Sequence, residues 1–106
     1  MNIEHKTTNA RKKQDLAKYL CNVSVRDREN IIGRMKTARA RNELRAAFHK
    51  AKAQQILTWP VDIQRGYLNQ LARINMHQHA AIKAALTILE LDAARKADHA
   101  ENNITA

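Results

Sequence analysis

SVRDRENIIGRMKTARARNELRAAFHKAKAQQILTWP, residues Ser24–Pro60, decides how this chain folds. Arg, Ala, Leu, Lys, Gln and Glu dominate it, and these are strong helix formers. Ser24-Val-Arg-Asp27 reads as a capping box: the serine hydroxyl accepts from the Asp27 amide while the carboxylate reaches back. From there no proline intervenes before Pro60, so a helix opened at Ser24 has room to run to about Thr58. Its apolar stripe does not keep phase. With Arg34 set at zero and about 100° per residue, Ile31, Ile32, Met35 and Ala38 fall near 40–160°, and Leu44, Ala47, Phe48 and Ala51 near 220–320°. The buried face therefore moves by about 150° around residues 38–43. One long helix that packs on different neighbours in its two halves, with a kink, is favoured over a break capped by Asn42.

Upstream, Thr8 and Asn9 are good N-caps for a first helix reaching about Cys21. Leu16, Tyr19, Leu20 and Val23 recur there at i, i+3, i+4, i+7, the spacing of one buried face. Downstream, Thr58-Trp59-Pro60 is the clearest punctuation, because the residue before proline avoids helical geometry and proline suits a first helical turn. A third helix, with Asp62 at its positive end, runs to about Ile74 and is expected to bury Ile63, Tyr67, Leu71 and Ile74. Asn75-Met-His-Gln78 reads as turn and cap. A fourth helix then runs to about His99, with Ile82, Leu86, Leu89 and Ala93 in one stripe and Ala81, Ala85, Ile88 and Ala97 widening it. The expected fold is all-α: a single domain over 1–106, a small bundle of about four helices with a long basic second helix and a C-terminal αα-hairpin. Residues 1–8 and 101–106 are expected to be mobile tails.

With 106 residues the chain has enough length for one modest core. Two Gly, one Pro and few β-branched or aromatic residues leave little material for strands. The single cysteine, Cys21, has no internal disulfide partner, which fits a reducing compartment. No apolar stretch follows the first charges and no run of eighteen apolar residues occurs. A soluble, cytoplasmic protein without membrane contact is the expectation.

Charge is the strongest functional signal. Residues 1–57 carry fourteen Lys/Arg against five acids, a balance of +9, while residues 58–106 carry five of each sign. Such a split points to one half meeting an anionic partner. Arg34, Arg41, Arg45 and Lys52 lie within about 20° of one line on a continuous helix and span about 27 Å. Arg39 and Lys36 extend the line sideways, and Arg11, Lys12 and Lys13 form a basic arm. Lys and Arg at this spacing suit a nucleic-acid backbone, where they displace condensed counterions; a solvated face or an acidic protein surface uses the same residues.

Other chemistry is sparse. Phe48 and Tyr19 both sit on expected core stripes, which leaves few stacking platforms for single strands and favours backbone contact to a duplex or folded RNA. Leu71–Leu86 has the outline of a helix-turn-helix with Asn75 in a left-handed turn, but its spacing is one residue short and this half is neutral, so an ordinary αα-hairpin is preferred. His77 and His79, two residues apart on a helix, point about 200° apart and do not share an ion, so no metal site and no cofactor are expected. Cys21 ends an apolar stripe, where inert buried thiols are usual. Without a phosphate loop, paired carboxylates or a serine motif, no enzyme is expected. Trp59 is an anchor between helices or, beside Pro60, a binding hot spot.

Together these features predict a non-catalytic nucleic-acid-binding accessory or regulatory protein whose basic helix face contacts phosphates. The alternative is a protein-binding inhibitor or adaptor that lays the same face on an acidic groove, as a phage or plasmid anti-defence or transcription-modulating protein would. Small phage or plasmid accessory proteins are similar in general style, though no motif carries that likeness. The wide apolar stripe of the last helix also makes a homodimer a candidate.

Overall fold

The computed structural model describes the backbone of residues 2–105 and the side chains of residues 11–98. The tails expected at 1–8 and 101–106 lie outside the residues described in full. Five helices follow one another: α1 (Asn2–Leu20), α2 (Val25–Gly33), α3 (Ala38–Ile56), α4 (Val61–Ile74) and α5 (Met76–Thr105). No strand occurs among the described residues, so the fold class is all-α. The chain divides into two compact units, Met1–Lys52 and Ala53–Ala106.

The N-terminal unit gathers Leu20, Ile32, Leu44 and Phe48 into a buried cluster, flanked by Leu16, Cys21, Val23, Ile31 and Met35. Ala17 is buried as well, whereas Tyr19 stands 57% exposed. The face of α1 that packs is thus Leu16, Ala17 and Leu20, and the expectation of a buried Tyr19 is corrected. A small alanine lets α1 approach closely, which rotates the bulky tyrosine out. After α1, Ser24 accepts from the Asp27 amide at 3.1 Å and opens α2.

The long helix expected over 25–58 is replaced by two, with a break at Arg34–Thr37. Gly33, the last residue of α2, is a poor helix former. The Arg34 amide donates back to Asn30 and Ile31, and the Met35 amide to Ile32. Thr37 then starts the next helix: its Oγ1 accepts from the Ala40 amide at 3.0 Å and its carbonyl from Arg41. The break resolves the phase shift of the apolar stripe, because turning the chain lets Ile32 of α2 and Leu44 and Phe48 of α3 enter one cluster. Charge is divided too: α2 holds Arg26 and Arg28 against Asp27 and Glu29, so the basic helix is α3.

In the C-terminal unit the core is Ala53, Ile56, Leu71, Ile82 and Leu86, with Trp59, Tyr67, Leu68, Ala85 and Leu89 against it. Helices α4 and α5 pack on each other. Ile63 (53%) and Ile74 (72%) are exposed rather than buried. The packed face of α4 is Gln64, Tyr67, Leu68 and Leu71, turned about 50° from the expected one. On α5, Ala93, Ala97 and Ile88 likewise face solvent. Asn75 alone separates α4 from α5; its Oδ1 accepts from the Gln78 amide at 3.1 Å. Its φ of −149° is extended, not left-handed, so the turn differs from that of a helix-turn-helix.

Candidate nucleic-acid interface

The basic residues singled out in the sequence divide into two groups. Arg41, Arg45 and Lys52 share one face of α3, but that face borders the buried cluster of the N-terminal unit. The Arg41 guanidinium donates to the Met35 carbonyl at 2.8 Å, capping backbone left open by the end of α2. Arg45 meets the Glu29 carboxylate at 3.0 Å. Lys52 Nζ donates to the Cys21 carbonyl at 3.3 Å, just past the end of α1, where a cation complements the helix dipole. Long aliphatic stems make this possible, because they cover apolar surface while their heads reach polar partners.

The second group faces solvent. Arg34 and Lys36 lie exposed in the α2–α3 link, off the helix on which the sequence places them. Arg11 and Lys12 are exposed on α1. Lys13 of α1 and Arg39 of α3 converge on Glu43, at 3.0 and 3.2 Å. Lys18, Arg26 and Lys50, which the motif reading passed over, are exposed too. Arg11, Lys12, Lys18, Arg26, Arg34, Lys36 and Lys50 enter no ion pair among the described residues.

Sequence reasoning also missed Arg28, which is 7% exposed. Its guanidinium carbon lies 4.5 Å from the centroid of the Phe48 ring, within cation–π range. Its Nη2 donates to Glu29 at 3.4 Å. The one available signal was its place in α2, four residues before Ile32 and on the same face.

Electrostatics follow this arrangement. Burial pushes the Glu29 carboxyl upward, but its hydrogen bond to Arg45 and the charges of Arg45 and Arg28 outweigh that and hold it below its ordinary value. Hydrogen bonds from Lys13 and Arg39 lower Glu43. Burial lowers Lys52, with Arg28 adding to the effect and Cys21 opposing it. His49 is lowered by burial, then by Arg28 and Arg45. Cys21 is raised by burial, and its Sγ donates to the Ala17 carbonyl at 3.4 Å.

Trp59 is half-buried, with its ring edge-on to Tyr67 at 5.3 Å between centroids. Its carbonyl accepts from Gln64 Nε2 at 2.8 Å. Among the described residues no three His, Cys, Asp or Glu side chains gather in a metal-binding group, and no helix is long and apolar enough to cross a membrane. No family model, curated protein or solved structure matches the chain.

Proposed function

We propose that this chain is a non-catalytic nucleic-acid-binding accessory or regulatory protein that contacts phosphates through the surface of its N-terminal unit. The observation that carries this is the agreement between charge and architecture. The whole balance of +9 falls within Met1–Lys52, while Ala53–Ala106 sums to zero. The contact set is Arg34, Lys36, Arg39, Arg11, Lys12 and Lys13, joined by Lys18, Arg26 and Lys50. Arg41, Arg45 and Lys52 brace the unit that presents them. Phosphate contacts position a protein without reading sequence, so the expected binding is strong at low salt and weakly selective.

Fluorescence anisotropy with labelled duplex DNA, single-stranded DNA and RNA, titrated with salt, tests the proposal. Three to four phosphate contacts give a log–log slope of about −3 on duplex. Replacing Arg34, Lys36 and Arg39 by alanine should flatten that slope while the far-UV circular dichroism stays unchanged. Absence of binding to all three probes at low salt overturns the proposal and leaves an acidic protein groove as the target of the basic surface, to be sought by pull-down.

A further inference from the structure

The chain has four aromatic residues, and three of them are committed to packing. Phe48 is buried beneath Arg28, and Trp59 and Tyr67 stack edge-on against the C-terminal core. Tyr19, the remaining one, lies in the basic unit with its ring in solvent. It flanks the packed face of α1, about 100° from Leu20 and about 160° from Ala17. At about 100° per residue, Lys12 falls within about 20° of it and Asp15 within about 40°, with Arg11 and Lys18 to one side. All four are exposed. The face therefore joins one aromatic ring to three cations and a single acid.

We infer that Tyr19 is a stacking platform for an unpaired nucleobase, and that the ligand class of this face is single-stranded nucleic acid. This rests on the proposed function. A base laid on the ring would put the neighbouring backbone along α1 toward Lys12. Lys12 stands seven residues, about 10 Å, from Tyr19 along the helix axis, within reach of the backbone next to a stacked base. Base–aromatic stacking tolerates any sequence because every base offers a π-face. A base paired within a duplex has both faces occupied by its neighbours, so Tyr19 discriminates for strands that are open.

The test measures anisotropy of the full chain with a labelled single-stranded DNA, an RNA of the same sequence and a matched duplex at one low salt concentration. The proteins are wild type, Tyr19→Ala, Tyr19→Phe and Lys12→Gln. Tyr19 is 57% exposed and lies outside the buried cluster, so its variants are expected to fold as the wild type does, checked by circular dichroism. The expected result is a loss of about tenfold or more on single strands for Tyr19→Ala, the range of one lost stack, with the duplex unaffected and Tyr19→Phe close to wild type. The two single-stranded arms report whether the sugar matters. The stacking role is overturned if Tyr19→Ala binds single strands like wild type while Lys12→Gln weakens them. It is equally overturned if Tyr19→Ala weakens single strand and duplex alike. If the wild type binds none of the probes, the function proposed above falls as well.

Discussion

In Met1–Lys52, four buried residues are ringed by polar closures: Arg28 over Phe48, Arg45 on Glu29, Lys52 on the Cys21 carbonyl and Arg41 on the Met35 carbonyl. In Ala53–Ala106, five buried residues are bordered by Trp59, Tyr67, Leu68, Ala85 and Leu89, and no ion pair forms among the described residues. Both units solve the same problem of sealing a small core. The second uses apolar bulk. The first spends cations whose stems exclude water and whose heads satisfy open carbonyls and carboxylates. Positive charge in the first half is therefore of two kinds, cations that brace the core and cations that stand in solvent, and charge counting alone does not separate them.

The sharpest contrast comes from removing one core residue on each side. Phe48→Ala should cost about 3–5 kcal/mol, and more than a cavity alone implies, because Arg28 loses the ring that covers it. Ile82→Ala should cost about 2–5 kcal/mol. Hydrogen exchange locates each loss: the Phe48 change should expose amides around Leu44, and the Ile82 change those around Leu86. An equal response of both regions to either change would break the contrast.

Next come the hinge residues of the α2–α3 break. Thr37→Ala removes the cap on the Ala40 amide and should cost about 1 kcal/mol in urea denaturation. Gly33→Ala should gain about 0.5–1 kcal/mol, because nothing lies within 4 Å of an added Cβ and alanine suits a helix end better. If Gly33→Ala instead destabilises, the break depends on glycine itself and not on the packing that follows it.

The smallest expected effect is in pH. His49 is lowered in the folded chain, chiefly by burial and then by two arginines. The unfolded chain thus takes up the proton first, and stability falls as pH drops below about 6.5. Glu29 is lowered too, and its contribution, full above about 4.3, is lost as pH falls through its lower folded value. His49→Gln should erase the first loss and keep the second, read as urea midpoints at pH 7.5, 5.5 and 3.5.

Several of these features were legible in the sequence. Composition gives the helical class, Ser24 and Asn75 mark caps, and Trp59-Pro60 marks an end. What escaped was orientation. A helical wheel shows that Arg41, Arg45 and Lys52 share a line, but not that the line runs beside Leu44 and Phe48 at the edge of a core. Ile63 and Ile74 outscore Gln64 and Leu68 in hydrophobicity, yet α4 packs through the latter face, where Tyr67 stands edge-on to Trp59. The phase shift in Ser24–Pro60 announces a change of neighbours, and only tertiary packing decides that the chain turns at Arg34–Thr37. For the candidate interface, the net charge of the half was readable, while the sorting of individual cations into braces and exposed groups was not.

Cys21, half-buried beside the lysine that holds its carbonyl, is the one thiol in the sequence. Alkylating reagents attack the thiolate, and this thiol is both shielded and reluctant to ionise. Its labelling should therefore be slower than that of an exposed thiol, and faster once the α1–α2 corner opens. A comparison of the labelling rates of the wild type and of Phe48→Ala would then report loosening of the basic unit through one sulfur, with no probe added to the chain.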